Sequence, residues 1–415
     1  MTIPVVPGTL LVDDLLAHFK QRWWEAKIDL PTLGLDYTPT QQRVCEKHLD
    51  RFTDLLVSQA KHLPGTSEER AASQDSLVSQ ASELLKLAFG LEERHLQAIR
   101  SYRFIEVAQE FAHQARRFDP AIGLDEIVQA SRNVWSVNLM QLLFGLPVEV
   151  TPAIFAYSML YPYTDNYLDD PGVPEDTKRL FNQRFRLRLA GQPLQPENHP
   201  EQAICRLMEM IENAFERSRY PQVYESLLAI HSAQERSMAL QHTGASPYEV
   251  DALEICFEKG GTSTLADAYL VAGELTGTQR EFAFYYGCVT QLVDDLEDVH
   301  SDAQAGIMTV FSQTAGRWPL DGVTNRALHF SLGMVADMQR FGASSLEPLK
   351  EMIQVSLCPL LIDSIGRARQ FYSPAYLQAV QEHFPFRFKY LYKQRKKLYQ
   401  RRKSLYKLVE SALVA

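Results

Sequence analysis

Apolar residues recur at intervals of three and four along most of this chain, and this spacing constrains its fold more than any other feature of the sequence. Alternating strand patterns bounded by Asn-Gly or Asp-Gly turns are hard to find. The helical spacing runs through residues 41–62, 75–90, 93–117, 124–145, 151–169, 202–217, 222–242, 263–274, 279–299, 325–340, 346–366 and 375–408. The pattern therefore predicts an all-α protein with about a dozen helices.

The composition predicts a soluble globular chain with a large core, because 46% of its 415 residues are hydrophobic and 22% are charged. The stretch MTIPVVPGTLLVDDLL at the start lacks the basic region of a secretory signal, and no run of about eighteen apolar residues occurs. We therefore expect a cytoplasmic protein. Five cysteines lie far apart without a C-x-x-C pair, which argues against a zinc site or a disulfide framework and predicts reduced, mostly buried thiols.

The C-terminal region carries a charge opposite to that of the rest of the chain. The net charge is −9, yet residues 387–407 contain ten Lys or Arg and no acidic residue, which leaves −19 on the remainder. Leu and Tyr recur there every seven residues, so we predict a basic amphipathic helix. Packing against the acidic body is the first interpretation, and docking on an anionic membrane surface or closing over a ligand as a lid are the alternatives. No nucleic-acid-reading motif accompanies the charge, so we expect no nucleic acid partner.

An acidic segment, DNYLDD at residues 165–170, ends a stretch that is otherwise aromatic and apolar. Asp165 and Asp169 are four residues apart and share one helical face, with Asn166 and Asp170 beside them. The carboxylates repel one another and also face the negative end of the helix dipole. The segment therefore predicts a compensating cation.

A second acidic segment occurs in YYGCVTQLVDDLEDVHSD, residues 285–302. Spacings of three, four and four place the following residues on one helical face: Gln291, Asp294, Asp298 and Asp302, with Asp295 and Glu297 beside them. The preceding turns are apolar, so this face emerges from a buried helix. Two such helix ends facing each other would form an oxygen-rich pocket that suits Mg²⁺, which keeps coordination positions open for substrate phosphates.

Both segments resemble motifs of one enzyme family. The second is similar to the second aspartate-rich motif of the trans-isoprenyl diphosphate synthases, G-x-x-F-Q-x-x-D-D-x-x-D-x-x-x-D, with Thr290 where Phe is usual. DNYLDD resembles the first motif, D-D-x-x-D, with Asn166 at its second position, and its D-x-x-x-D-D form also resembles squalene and phytoene synthases and large bacterial terpene synthases. EKGGTSTLADAYLVAGELTG, residues 258–277, resembles the Lys-Thr segment of the family, although Lys259 before two glycines is also typical of a helix C-cap.

This resemblance covers about residues 120–345 and implies a class I terpenoid synthase helical bundle whose aspartate-rich motifs face a central cavity. It implies magnesium as the cofactor, as three ions with Mn²⁺ as a substitute, held by Asp165, Asp169, Asp170, Asp294, Asp295 and Asp298. Of these, Asp165, Asp169, Asp294 and Asp298 are the expected catalytic carboxylates. The expected ligands of a prenyl diphosphate are Asn166, Lys259, Thr262, Gln291, Asp302 and Arg132. Metal ions would neutralise the charge that grows on the leaving diphosphate.

The allylic carbocation left behind needs a dry cavity, in which aromatic faces stabilise positive charge. The candidates for this lining are Phe155, Tyr157, Tyr161 and Trp135, which lie before Asp165 or on the preceding helix. His231, Gln234 and Gln241 are weaker candidates.

Two basic elements of the chain-elongating prenyltransferases are missing. Around the position of their G-K-R-x-R-P element this chain reads QASRNVWSVNLMQLLFG, residues 129–145, which keeps only Arg132. Their G-K-x-T loop corresponds to GIMT, residues 306–309, with Ile307 in place of the lysine. A second diphosphate would lack paired cations, so the sequence favours a terpene synthase that ionises one prenyl diphosphate.

Two alternatives of other classes stay open. One is a prenyltransferase, either chain-elongating or of the head-to-head squalene or phytoene type, in which Arg387 or Lys389 supplies the missing charge. The other is a non-catalytic helical protein that binds lipid or a partner.

We predict three parts: an N-terminal helical segment packed on the core (1–119), the synthase core (120–370) and the basic C-terminal helix (371–415). A homodimer and a peripheral membrane location are also left open.

Overall fold

The structure is a computed structural model that describes residues 9–63, 66–241, 246, 248–343 and 346–414. The prediction of an all-α fold is confirmed, because these residues form helices joined by loops and a few 3-10 turns and contain no β-strand. The helices are α1 (Thr9–Glu25), α2 (Pro39–Lys61), α3 (Ser67–Phe89), α4 (Glu93–Ser101), α5 (Phe104–Phe118), α6 (Leu124–Leu143), α7 (Pro152–Asp169), α8 (Glu175–Leu189), α9 (His199–Ala214), α10 (Pro221–Ser237), α11 (Ala252–Ala272), α12 (Gly277–Glu297), α13 (Val299–Ala305), α14 (Asp321–Asp337), α15 (Glu347–Arg367), α16 (Pro374–Gln381), α17 (Phe388–Gln400) and α18 (Arg402–Val414).

The helix boundaries differ from the predicted ones at several places. Two helices, α1 and α8, lie outside the predicted segments. The predicted helix 93–117 is divided into α4 and α5 beside Arg103, whose φ of 54° is left-handed and cannot continue a helix. The predicted helix 375–408 is divided into α16, α17 and α18. Apolar spacing continues across these breaks, so periodicity alone does not reveal them.

Most buried apolar side chains form one core, to which α1 contributes Val12, Leu15, Leu16, Phe19 and Trp23. Phe19 of α1 lies with its ring centroid 4.6 Å from that of Tyr285 and 5.8 Å from that of Phe284. Trp23, one turn further along, packs edge-on against Phe330.

All five cysteines are unpaired and four of them are buried, which confirms the predicted thiols. The division into three parts remains a prediction.

Helices α11 and α12 pack against each other at two glycines, without side chains between them. A Cβ atom on Gly260 would lie 2.2 Å from the carbonyl oxygen of Gly287, and one on Gly287 would lie 2.0 Å from the carbonyl oxygen of Gly260. The hydroxyl of Thr264 donates a hydrogen bond of 2.6 Å to the carbonyl oxygen of Ala283 across the same interface. Because the distance between packed helices depends on the side chains at their contact, these glycines bring the two backbones unusually close.

The same packing explains why two glycines follow Lys259. The interpretation of this site as a C-cap is wrong, because α11 continues through both glycines from Ala252 to Ala272. Gly261 is also close to a neighbour, since a Cβ there would lie 2.5 Å from the ring of Phe284. Lys259 therefore projects from the middle of a packed helix, so the packing of α11 holds its backbone in place.

The basic C-terminal helices pack against the acidic body, in agreement with the first interpretation of this region. The Arg387 side chain donates a 2.8 Å hydrogen bond through Nε to Oε1 of Glu46, which is buried. Lys397 forms an ion pair of 2.8 Å with Asp54. Several tyrosines on the outer face stay exposed, and docking on a membrane surface and closure as a lid stay predictions. Along the described residues, every helix is too short or too polar to cross a bilayer.

We expect Gly287→Ala to lower the free energy of unfolding by about 1–3 kcal/mol, because a methyl group in this contact meets a backbone carbonyl that has no room to move. The matched control is Gly322→Ala in α14, where nothing lies within 4 Å of the added Cβ and alanine is the better helix former. Urea unfolding followed by circular dichroism measures both variants. Equal stabilities would contradict the close packing of α11 and α12.

Candidate active site

A cavity of about 350 Å³ lies among α6, α7, α11 and α12, and both acidic segments reach its wall. Asp165 comes from the C-terminal part of α7, and Asp294 comes from the last turn of α12. The prediction that the two segments face one cavity is therefore confirmed. Lys259 of α11 and Arg132 of α6 line the same space.

The Asp165 carboxyl is mostly withdrawn from water, because the preceding turns of α7 are buried. Burial raises the pKa of Asp165 to about 6, and the charge of Asp169 adds to the rise. A hydrogen bond from Thr164 (3.2 Å between the hydroxyl and Oδ1) and the charge of Lys259 oppose it. A divalent cation beside this carboxyl would stabilise its ionised form.

The acidic residues at the end of α12 are held by Gln291. Its Nε2 donates a hydrogen bond of 2.9 Å to Oδ1 of Asp295 and a longer one of 3.4 Å to Oδ2 of Asp294. Burial raises the pKa of Asp295 to about 6, and burial together with Asp298 raises the pKa of Asp294. Burial, followed by the charges of these three aspartates, raises the pKa of Asp302 in α13 to about 7. The carboxyls are therefore close enough to repel one another when ionised.

Lys259 and Arg132 are two cations without an ion-pair partner among the described residues. The charge of Lys259 partly opposes the rise in pKa of both Asp165 and Asp294, yet no carboxylate in the described part of the chain lies within 4 Å of its amine. Arg132 is exposed and Lys259 is partly buried. A buried basic side chain such as Arg188 is instead paired, here with Glu212 at 2.6 Å. Two cations without an ion-pair partner in the described part of the chain, on a cavity wall that also carries Asp165 and Asp294, suit an anion that brings its own metal ions.

Four exposed residues among the predicted ligands lie outside this cavity wall. Asp169 and Asp170 are exposed at the end of α7, and Oδ1 of Asp170 accepts a hydrogen bond of 2.7 Å from the backbone N–H of Gly172. Asn166 is exposed as well. Asp298 is exposed where α12 ends and α13 begins. The roles of these four residues as ligands stay predictions.

Three other candidates also occupy positions away from the cavity. Phe155 is buried in the core, with its ring 5.6 Å from that of Phe111. Thr262 is fully buried, and its hydroxyl donates a 2.6 Å hydrogen bond to the carbonyl oxygen of Glu258 in its own helix. Trp135 is 53% exposed on the surface. By contrast, Tyr161 lines the cavity as predicted, and Tyr157 lines an adjoining chamber.

Asp267 is a cavity residue that the sequence analysis did not identify. It is 1% exposed, and its Oδ1 accepts a hydrogen bond of 2.8 Å from Nδ2 of Asn133, while its Oδ2 has no partner among the described residues. Burial raises the pKa of this carboxyl well above its usual value, because burial disfavours the charged form. The spacing of four between Lys259, Ser263 and Asp267, which all line the cavity, is the signal that could have revealed it.

A smaller apolar chamber of about 70 Å³ adjoins the polar cavity between α7, α8 and α10. The two spaces share Tyr161, Asp165 and Gln234. The chamber is otherwise lined mainly by apolar side chains and by His231, whose pKa is lowered to about 4 by burial. His231 and Gln234, the weaker candidates from the sequence, line this chamber, and Gln234 lines the polar cavity as well, whereas the side chain of Gln241 lies outside the described residues. A polar space next to an apolar one suits an amphipathic ligand.

The carboxylates of this cavity suit a metal that is partly coordinated by substrate. Within the described ranges, no group of three or more His, Cys, Asp or Glu is arranged to hold a metal ion. Magnesium usually binds one or two carboxylates together with waters and substrate phosphates, so a complete protein cage is not required. Asp165 and Asp294, which line one cavity together with Lys259, fit such a shared site.

Comparisons with known proteins give limited information about this chain. Neither the protein-family models nor the curated proteins gave a match. A crystal structure of a geranyltransferase from Legionella pneumophila aligns with 66% of this chain and 99% of its own, with 14% sequence identity and a TM-score of 0.40. At this level of similarity the comparison carries no conclusion about activity.

We expect Asp302 to make the metal-free protein less stable as the pH rises from about 5 to about 7. Its pKa is 3.8 in the unfolded reference and about 7 in the folded protein, so the folded state keeps a proton that the unfolded chain has released. Stability therefore falls with pH in this window, and Asp165 and Asp295 act in the same direction up to about pH 6. His231 opposes them below about pH 6.5, because its folded pKa is lowered.

Urea unfolding in the presence of a chelator, at both ends of this pH range, measures the effect. Asp302→Asn should flatten the pH dependence relative to the wild type, whereas Asp176→Asn, at an exposed position of α8, should leave it unchanged. If the free energy of unfolding of Asp302→Asn depends on pH as steeply as that of the wild type, the raised pKa of Asp302 is refuted.

Proposed function

We propose that this protein is a magnesium-dependent class I terpene synthase, which ionises an allylic prenyl diphosphate and releases diphosphate. The observation that carries the proposal is the position of Asp165 and Asp294 on one cavity that also contains two unpaired cations, Lys259 and Arg132. This arrangement offers carboxylates that would hold metal ions and basic side chains that would bind the oxygens of a diphosphate. The resemblance of the two acidic segments to the aspartate-rich motifs of the isoprenoid enzymes agrees with this interpretation.

The residues in and beside the cavity would have different roles in the reaction. Magnesium ions, three by analogy with the family, would lower the charge that develops on the leaving diphosphate. Asp165 and Asp294 would hold them, with Asp169, Asp170, Asp295 and Asp298 as further proposed ligands. Lys259 and Arg132 would bind the diphosphate oxygens directly. Gln291 would keep Asp294 and Asp295 in position through its two hydrogen bonds.

Tyr161 would act on the organic part of the substrate. It lines both the polar cavity and the apolar chamber, so it would lie near the allylic carbon of a substrate whose diphosphate is bound in the cavity. Burial raises the pKa of Tyr161 well above its usual value, so the ring stays neutral. A neutral aromatic face stabilises positive charge without reacting with it as a phenolate would.

Two observations favour ionisation of a single substrate over chain elongation. Ile307, at the position of the family's second lysine, packs on a small apolar cluster formed by Leu240, Ala252, Ile255 and Met308. Arg387, one of the two tail residues that could replace the missing charge, is bound to Glu46. A second diphosphate would therefore enter the site without paired cations, which is costly.

We expect Asp165→Ala and Asp294→Ala each to lower the rate of diphosphate release by about 100-fold or more, because each removes a ligand of the charge-stabilising ions. The matched control is Glu281→Ala, at an exposed position near the start of α12 where the side chain pairs with Arg340. The assay follows diphosphate release from geranyl, farnesyl and geranylgeranyl diphosphates with magnesium and with a chelator. Full activity of either aspartate variant, or activity that survives chelation, would refute the proposal.

When isopentenyl diphosphate is added together with an allylic substrate, we expect that no prenyl product of greater chain length forms, because the second diphosphate has no cationic site. Radiolabelled isopentenyl diphosphate provides the measurement, with Lys389→Glu as the companion variant, since Lys389 is exposed and is the remaining tail cation considered. Label in longer products of the wild type would instead indicate a chain-elongating prenyltransferase. Loss of that label in Lys389→Glu would identify the tail as its second site.

A further inference from the structure

An apolar groove of about 580 Å³ lies along a neighbouring face of α12, between this helix, α15 and the start of α17. We call it the α12–α15 groove. Its walls are mainly aliphatic and aromatic, and they include Val289, Val293, Ile353, Leu357, Phe384 and Leu391. The one carboxylate on its wall, Asp363, is neutralised by ion pairs with Arg367 and Arg395. The groove is therefore suited to hydrocarbon.

The groove and the polar cavity meet at Thr290, whose side chain lines both. Tyr286, one turn earlier on α12, lines the groove, and the side chain of Ser136 from the polar cavity lies beside its hydroxyl. Leu139, one turn after Ser136 on α6, also lines the groove. The boundary between the two spaces therefore consists of a few side chains from α6 and α12, and one of them is small.

We propose that the α12–α15 groove binds the hydrocarbon tail of a long prenyl diphosphate, which passes from the polar cavity between α6 and α12 beside Thr290. This inference rests on the proposed function for the position of the diphosphate. It adds a substrate class, because it assigns a preference for long chains such as geranylgeranyl over short ones such as geranyl.

The other spaces near the carboxylates are poor sites for a long tail. The polar cavity presents Asn133, Ser263 and Asp267, and hydrocarbon against the unpartnered Asp267 oxygen would leave a buried polar group without a hydrogen bond. The small apolar chamber holds about 70 Å³ and ends at α8 and α10. The groove is about eight times larger. It also opens to the surface beside Leu360, which is 45% exposed, so chain length is not limited by an end wall.

The test compares kcat/KM for geranylgeranyl and geranyl diphosphates in variants along this path. Thr290→Phe should lower the ratio of the two values by about tenfold or more, because a ring at the boundary blocks the longer chain. Leu360→Asp, at the outer end of the groove and absent from the lining of the polar cavity, should lower the same ratio. Thr290→Ser is the matched control, since serine can keep the 3.1 Å hydrogen bond to the carbonyl oxygen of Gly287 and leaves the boundary open.

The competing path is tested with Leu227→Phe, which fills the small apolar chamber. A fall of the ratio in this variant, with no change in Thr290→Phe and Leu360→Asp, would overturn the inference and assign the tail to the chamber. An equal loss for both substrates in Thr290→Phe and Leu360→Asp would also overturn it.

A binding measurement separates this inference from the proposed function. Geranylgeraniol, which has no diphosphate and needs no metal, should raise the melting temperature of the wild type and of Thr290→Ser, but not that of Leu360→Asp. If the wild type releases no diphosphate from any substrate, the proposed function fails, while selective stabilisation by geranylgeraniol still supports a hydrocarbon site in the groove. If palmitic acid stabilises the protein as strongly as geranylgeraniol does, the groove is a general lipid site and the prenyl assignment is overturned.

Discussion

The close contact of Gly260 with Gly287 is the interaction on which the candidate site depends. A Cβ on Gly260 would lie 2.6 Å from Cβ of Gln291 as well as against the backbone of α12, so even the smallest side chain would push the helices apart. Lys259 precedes one glycine, and Gln291 lies one turn after the other, so the contact fixes a cation and the acidic end of α12 at the same cavity. Packing here directly determines the electrostatics of the site.

The cavity and the adjacent segment at the end of α12 concentrate carboxyl groups at a cost to the metal-free protein. Asp165, Asp295 and Asp302 all have pKa values raised toward neutrality, mainly because burial disfavours their charged forms. A fold selected only for stability would pair such groups with arginine or lysine, as this protein does for Glu212 and Glu46. Leaving them unpaired, with Lys259 also unpaired, is typical of a site whose partners arrive with the substrate.

The spaces around α12 differ in polarity in a way that fits an amphipathic substrate. On one face of the helix, Asp294 and Gln291 border the polar cavity; on a neighbouring face, Val289 and Val293 border the α12–α15 groove. Thr290 lies between these faces and touches both spaces. A single helix could thus align a charged head group and a hydrocarbon chain.

The sequence by itself determined the helical class and the shared face of the carboxylates within each acidic segment, because both depend on local spacing: carboxylates three or four residues apart share a helical face wherever the helix is placed. That the two segments meet at one cavity was expected from their resemblance to paired motifs and depends on the tertiary structure. The sequence also indicated Lys259 and Arg132. Only the tertiary structure decided which aromatic residues line the cavity, since Phe155 and Tyr161 lie on the same buried helix and differ only in the neighbours they face. The same holds for Asp267, whose burial comes from α6 and α7 packing over it, and for the groove beside Thr290, which is formed by helices distant in sequence. Local periodicity contains no information on such contacts, because they depend on how close the helices approach.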